Sequence, residues 1–322
     1  MSGPFRARLT GVGGYLPRTI VTNDDLAQKI ETSDEWIRTR TGITQRHIVS
    51  GDETTASMAA AAARQALEQA GVNAEDVDAI IVATSTPDQV FPAVATQVQA
   101  LLGITKGFGF DISAACSGFV YALASANSFI QSGLAKKVLV IGSEVFSRLL
   151  DWNDRTTCVL FGDGAGAVLL EAGAEEGEGV LSTHLHSDGR SGDILYVDGA
   201  VGCAGTTQHL KMLGREVFRH AVVKLSQAVD EALEANNLTG QDIQWLVPHQ
   251  ANLRIIDGMA KKLALPADRV VVTVDRHANT SAASIPLALN EAVRDGRIQK
   301  GDLVLMEALG GGLTWGSALV RI

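Results

Sequence analysis

Short apolar runs punctuate the chain: "DAIIVATS" from Asp78, "KVLVIGSE" from Lys137, "WLVPHQ" from Trp245 and "LVLMEAL" from Leu303. Longer stretches with apolar side chains at helical spacing separate them. Between residues 217 and 233, for example, Phe218, Ala221, Val222, Leu225, Val229 and Leu233 fall on one stripe, which predicts a helix with one core-facing side. Continuous apolar runs of four to eight residues between such helices predict strands buried on both faces. The pattern therefore predicts a layered α/β fold.

The pattern also repeats. "ALEQAGVNAEDVDAIIVATSTP" from Ala66 resembles "ALEANNLTGQDIQWLVPHQAN" from Ala232, an offset of 166 residues. "IQSGLAKKVLVIGSE" resembles "VRDGRIQKGDLVLMEALG", and there Gly133 matches Gly296 at an offset of 163. Self-similarity of this kind predicts two halves of the same design, with a boundary between residues 174 and 175. At the second offset Cys116 falls on Asn279, and the first places His249 at a strand end. A twofold relation between the halves would bring all three to their junction, where α/β proteins usually build ligand sites.

Composition narrows the function. With 322 residues, 46% of them hydrophobic, the chain can bury one large core or two coupled ones. A net charge of -9 argues against a nucleic-acid surface, so an acidic partner would need a local basic patch. No apolar stretch approaches the ~18 residues of a membrane span, and the N-terminal segment lacks a signal-peptide core; a cytoplasmic protein is expected. Three cysteines without a C-x-x-C pair give no zinc framework.

Each candidate group has a plain reading beside the chemical one. A free cysteine is usually a small core residue. Cys116, however, has small neighbours that leave room for a substrate, and it precedes a predicted helix whose N-terminus would favour the thiolate. Cys158, in "TTCVLFGDG", reads as core, and Cys203 has no assignment. His249 alone would be a structural hydrogen-bonder, and Asn279 alone a helix cap. His184 and His186 share a strand face, with no further ligand implied for a metal. "FGDGAGAVLL" leads into a strand rather than a helix, which excludes a dinucleotide loop. "ALGGGLTWGSAL" would let backbone approach a substrate closely and aim an N–H at it.

Together "AACSGF" at Cys116, "VPHQANLRI" at His249, "RHANTSAASIP" at Asn279 and the terminal "GGGLTWGSALVRI" resemble the β-ketoacyl-acyl carrier protein synthase III family. The likeness runs along nearly the whole chain, taking in "TSDEWIRTRTGITQRH", "FPAVATQVQALLG" and "WNDRTTCVLFGDGAGAVLLE". It implies the thiolase fold, two pseudosymmetric βαβαβ-type halves in an αβαβα sandwich, and a Cys116–His249–Asn279 triad. Asn279 points to the initiating, decarboxylating branch of that superfamily. Ser117, Leu309 and Leu313 depart from the commonest family residues, and Leu309 bears on the acyl pocket.

The resemblance further implies transfer of an acyl group from acyl-CoA to Cys116, then condensation with malonyl-acyl carrier protein, in a homodimer that needs no metal and no cofactor beyond the coenzyme A thioester. The backbone N–H groups of Cys116 and Gly311 would bind the oxyanion. Trp36, Arg40 and Arg155 would hold the nucleotide end of coenzyme A; Phe218, Ala251 and Asn252 would line the pantetheine channel. Phe91 would reach the partner's acyl pocket, which Leu309 borders. Gln250, Ala251, Asn252, Leu253, Arg254 and Lys261 would meet the carrier protein, with Lys262, Lys211, Arg215 and Arg219 adding positive charge nearby. Rival readings are a condensing enzyme of the same fold serving a secondary metabolite, ketone or polyketide starter; a cysteine hydrolase, although the local papain-type signature is absent; and an inactive acyl-binding relative.

Overall fold

The computed structural model describes residues 6–173, 177–199 and 208–322, so Cys203 lies outside the described residues. Strand β1 (Ala7–Tyr15) leads into a hairpin of β2 (Thr19–Thr22) and β3 (Gln45–Ile48), with helices α1 (Asn23–Ala27) and α2 (Asp34–Thr41) between its arms. Then follow α3 (Thr55–Ala70), β4 (Ala79–Ala83), α4 (Val94–Leu101), β5 (Phe108–Ile112), α5 (Gly118–Gln131), β6 (Lys137–Val145) and β7 (Asp163–Ala172). Beyond β8 (Gly179–Ser187) come the short pair β9 (Leu195–Val197) and β10 (Leu210–Met212), helix α6 (Gly214–Ala235) and β11 (Trp245–Pro248). The chain ends with α7 (Leu253–Lys262), α8 (Val274–His277), α9 (Ser284–Arg294), β12 (Leu303–Gly310) and β13 (Thr314–Arg321).

Two larger sheets have one plan. The first runs β1-β7-β6-β4-β5 and the second β8-β13-β12-β11. Directions match as well: β4 with β6 and β11 with β12 are parallel, while the other corresponding pairs are antiparallel. A single parallel bridge from Leu246 to Val270 stands beside β11 where β5 stands beside β4.

The sequence match at Cys116 needs a correction. Each half has a short 3₁₀ turn ahead of its central helix, Ala115–Ser117 and Ser281–Ala283, and each turn begins with a residue of positive φ, +46° at Ala115 and +51° at Ser281. The structural mate of Cys116 is therefore Ala282, and Asn279 lies just ahead of the turn. The error arose because α5 has 14 residues and α9 only 11, so the glycines that follow them align three residues out of step with the turns that precede them.

Side-chain alternation in the strands builds the layers. In β4, Ala79, Ile81 and Ala83 face the space between the sheets, whereas Ile80 and Val82 face outward to α3 and α4. In β12, Val304, Met306 and Ala308 face inward, and Leu303, Leu305 and Leu309 face α6 and α7. Helices α5 and α9 fill the space between the sheets, giving the αβαβα sandwich. Each fully buried Val, Leu or Ile contributes about 1.5–3 kcal/mol, and a one-residue slip of a strand would exchange two whole rows, so register is strongly fixed. Among the described residues no helix is long and apolar enough to cross a membrane.

Candidate active site

Cys116 is delivered by the turn between β5 and α5 and is 6% exposed. The turn is held from the other half. Ser117 Oγ donates to Ala114 O at 2.8 Å and lies 2.8 Å from Thr314 Oγ1, which in turn donates to Ala114 O at 3.1 Å. Gly310, at the end of β12, lies directly against it: a Cβ there would sit 2.7 Å from the Cys116 nitrogen and 3.0 Å from Ala114 O. Only glycine allows this approach.

His249 follows β11, and its N–H donates to Glu307 O at 2.8 Å. Its ring Nδ1 is 2.6 Å from Ser284 Oγ on α9, and the same hydroxyl accepts the N–H of Gln250 at 3.2 Å. Asn279 is held like a strand residue beside Phe161: its N–H donates to Leu160 O at 2.9 Å and its carbonyl accepts from Gly162 N–H at 3.1 Å. Its Oδ1 accepts the Ser281 N–H at 2.9 Å, which assigns the amide orientation and leaves the NH₂ as the end available to donate.

Burial governs the ionisation of this group. It pushes the Cys116 thiol up to about 12, the nearby Glu144 adding to that and a hydrogen bond with Ser281 opposing it. It pushes His249 down to about 3. The expectation that a helix N-terminus would favour the thiolate is thus overridden by burial. A helix terminus supplies ~0.3–1 kcal/mol, rising to ~2 in good geometry, against the ~4 kcal/mol that a rise from 9.0 to about 12 represents. The resting pair is a neutral thiol and a neutral imidazole.

All three groups border one cavity of about 750 Å³, which Gly311, Leu309, Phe218, Ala251 and Asn252 also line, with Arg40 and Arg254. That volume suits an extended organic ligand. Beside Arg40 the Trp36 ring is flanked by two guanidiniums, Arg40 at 4.5 Å and Arg155 at 5.2 Å from its centre. Trp36 and Arg155 lie next to the cavity without lining it. Leu309 is buried in the wall, whereas Phe91 is 82% exposed and lies outside the lining.

Gln250 requires a correction. It is 0% exposed, its NH₂ donates to Pro248 O and Val271 O, and its Oε1 accepts from the N–H groups of Thr273 and Val274. A side chain whose amide is wholly engaged inside the protein cannot meet a carrier protein; it fixes the loop that carries His249. On α7, Arg254 and Lys261 are exposed and make no ion pair among the described residues, with Asp257 between them. Lys262 pairs with Asp230 at 2.8 Å and Arg219 with Glu216 at 2.5 Å, so these two contribute less to a basic face. Asn252 caps α7 through the Ile255 N–H, and Leu253 packs against Gly42. His184 and His186 both turn to Glu231, at 3.3 and 2.6 Å. Cys158 is fully buried, in core.

Three polar residues around the site escaped the sequence reading: Ser284 behind His249, Ser281 behind Cys116, and Glu144 behind Ser281. "NTSAAS" offered a signal for the serines, being a run of small residues with hydroxyls on the turn and at the helix start. Glu144, at the end of an apolar run in "VIGSEV", offered another: an acid where a buried strand finishes.

Comparison with known proteins gives a consistent result. Residues 110–189 match the family described as 3-oxoacyl-[acyl-carrier-protein (ACP)] synthase III, and residues 233–322 match its C-terminal part. The β-ketoacyl-[acyl-carrier-protein] synthase III of Granulibacter bethesdensis is 67% identical over 320 residues, covering 98% of this chain and 99% of that protein. The crystal structure of the 3-oxoacyl-[acyl-carrier-protein] synthase III of Aquifex aeolicus superposes with a TM-score of 0.94 at 47% identity, over 98% of this chain and 100% of that one. The priming β-ketosynthase of the R1128 polyketide pathway superposes with a TM-score of 0.92 at 39% identity, over 99% and 98% of the two chains.

Proposed function

This chain belongs to the β-ketoacyl-[acyl-carrier-protein] synthase III family, and on that premise we propose how its cavity performs the reaction. It is an acyltransferase that initiates fatty-acid synthesis by condensing an acyl-CoA primer with malonyl-acyl carrier protein, with loss of carbon dioxide. The observation supporting the division of roles is that Cys116, His249 and Asn279 border one cavity, each held by backbone or side-chain bonds from a different element.

Cys116 sulfur attacks the primer's thioester carbonyl, coenzyme A leaves, and the acyl group stays on the enzyme. Splitting the condensation into two transfers avoids bringing three groups together at once. The N–H groups of Cys116 and Gly311 receive the oxyanion. In the second transfer the malonyl carboxylate leaves as carbon dioxide, and the electrons it releases collect on the thioester oxygen as an enolate, whose carbon attacks the acyl-enzyme. Asn279 NH₂ and His249 Nε2–H donate to that oxygen. A neutral His249 can donate from Nε2 only if Nδ1 accepts; the Ser284 hydroxyl, already accepting from Gln250, has its hydrogen to give to Nδ1.

Trp36, Arg40 and Arg155 hold the nucleotide end of coenzyme A, and Phe218, Ala251 and Asn252 its pantetheine arm. The carrier protein docks on Ala251, Asn252, Leu253, Arg254 and Lys261. The functional unit is a homodimer in which Phe91 of the partner subunit closes the acyl pocket at Leu309. Residues 1–174 and 175–322 form the two halves, the boundary falling between β7 and β8. No cofactor enters beyond the thioester substrates.

The test is a mass spectrum of the protein after exposure to acyl-CoAs of increasing length, followed by malonyl-acyl carrier protein. One acyl group on the Cys116 peptide, discharged with release of carbon dioxide, is the expected result. Acylation elsewhere, or discharge by water alone, would refute it.

A further inference from the structure

Strained backbone brackets Asn279. Ala278 has φ +58° with ψ −162°, and Ser281 has φ +51°, conformations that residues with a side chain hold only when their surroundings impose them. Between these two points the chain folds tightly enough for Asn279 Oδ1 to accept the Ser281 N–H at 2.9 Å, the bond that orients the amide. A turn of this kind needs a hold from outside itself.

That hold comes from β6, in the other half of the molecule. Val138 and Val140 face the space between the sheets, and strand alternation puts Gly142 and Glu144 on the same side. A Cβ at Gly142 would lie 2.2 Å from Ala282 O, so the 281–283 turn rests directly on the bare strand. Two residues further along, Glu144 Oε1 accepts from Ser281 Oγ at 3.0 Å. The carboxyl is 0% exposed, and its Oε2 is saturated by three donors: Thr86 Oγ1 at 2.6 Å, Ser85 N–H at 3.0 Å and Thr84 Oγ1 at 3.3 Å. Those donors are themselves fixed, because Thr84 Oγ1 accepts the N–H of Thr86 and Thr86 Oγ1 that of Val145. The carboxyl therefore has one place to stand, with one oxygen turned to Ser281.

We propose that Glu144 is a positioning residue for decarboxylation: acting through Ser281, it holds the Asn279 NH₂ at the point where the malonyl thioester oxygen gains charge. The proposal rests on Asn279 being a donor to that oxygen. A donor of this kind is effective only if it is in place before the charge develops, and a strained turn left to relax would carry the amide away from it.

The link does not depend on charge. Burial pushes Glu144 up to about 7, so its acid and its carboxylate are both present near neutrality. With Oε2 taken by three donors, the hydrogen of the acid belongs on Oε1, aimed at Ser281 Oγ. The bond to Ser281 then changes direction without changing place. A glutamine at 144 copies the acid form, its oxygen keeping the three donors and its NH₂ donating to Ser281 Oγ.

The experiment measures carbon dioxide release from malonyl-acyl carrier protein on full-length enzyme that is already acetylated, so that the reactivity of the thiol does not enter. Ser281→Ala and Glu144→Leu are each expected to slow this step ~10-fold, the weight of one hydrogen bond to a charged group. Glu144→Gln is expected to stay near the parental rate. Made on top of Asn279→Ala, each change should cost nothing further, since no amide is left to position. A parental rate in Ser281→Ala or in a folded Glu144→Leu, a loss in Glu144→Gln as large as that in Ser281→Ala, or losses that persist in the Asn279→Ala background would overturn the proposal. Should Glu144→Leu fail to fold, Ser281→Ala and Glu144→Gln decide. If Asn279→Ala alone releases carbon dioxide at the parental rate, the role given to Asn279 fails instead, so the two failures are distinguishable.

Discussion

Gly310 and Cys116 touch backbone to backbone, from opposite halves of the molecule: the carbon that any other residue would place at position 310 falls 2.7 Å from the Cys116 nitrogen. That nitrogen carries the hydrogen assigned to the oxyanion. Real Cβ contacts do not come so close, so a side chain at 310 must move the nucleophile's own peptide.

Gly310→Ala should therefore lower acyl transfer by ~10²–10³-fold, the usual effect of losing one oxyanion donor, while leaving the fold recognisable. Single-turnover acylation beside a thermal melt checks it; a variant that melts normally and acylates at the parental rate would contradict the role given to this peptide.

Cys116→Ala should accept no acyl group, and Cys116→Ser should fail as well, because a hydroxyl has no usable anion near neutral pH. Intact-protein mass spectrometry after exposure to acyl-CoA reads both. Persistent labelling at Cys158 is not expected, since that thiol is fully buried in core and pushed up to about 11.

Asn279→Ala should still load Cys116 yet release carbon dioxide from malonyl-acyl carrier protein ~10²–10³-fold more slowly, equivalent to ~2–4 kcal/mol of transition-state stabilisation. The paired measurement is radiolabelled acyl transfer and carbon dioxide release on the same preparation. Equal losses would mean that Asn279 serves mainly to tie its loop to Phe161.

Because burial holds His249 down to about 3, the imidazole stays neutral throughout the mildly acidic range. Carbon dioxide release from preformed acyl-enzyme should show no fall with a midpoint near 6.5, the ordinary histidine value. Ser284→Ala should reduce that step and spare acylation, because it removes the hydrogen that fixes the ring's tautomer.

Glu307 makes a separate prediction about stability. It is buried on β12, both carboxyl oxygens lack a hydrogen-bond partner among the described residues, and burial pushes it up to about 8. The folded state thus holds a proton that the unfolded chain gives up above about 4.5, so the contribution is intact below that pH and is lost as pH rises towards 8. Glu307→Gln should fold with ~3–5 kcal/mol less loss of stability between these limits. Urea unfolding at both ends of the range measures it.

Much of the fold was legible because buried strands write continuous apolar runs, and the duplicated halves wrote theirs twice. That Cys116, His249 and Asn279 would meet at one cavity was legible for another reason: they sit in distinctive local strings. Gln250 was misread from the same kind of string. A residue beside a site looks functional in sequence whether its side chain points to solvent or into the loop that supports the site. The Cys116–Asn279 match failed because α9 is three residues shorter than α5, which shifts the register without altering the apolar pattern. Ser281, Ser284 and Glu144 were silent because their importance lies in contacts across 35 to 137 positions, which no local pattern records.

The division of the site between halves has a consequence in the order of synthesis. A ribosome completes β7, and with it the first sheet, while α9 and the second sheet are still unmade, so the apolar rows of β4, β6 and β7 that face inward have only α5 to cover them. Over that interval Cys116 already exists, but Gly310, Ser281 and His249 do not. The nascent half is thus an adhesive surface bearing an unfinished thiol, and α9 is the segment whose emergence covers the surface and delivers the Ser281 turn together. Ribosome pausing ahead of residue 281 would prolong that exposed state; pausing after residue 294 would not.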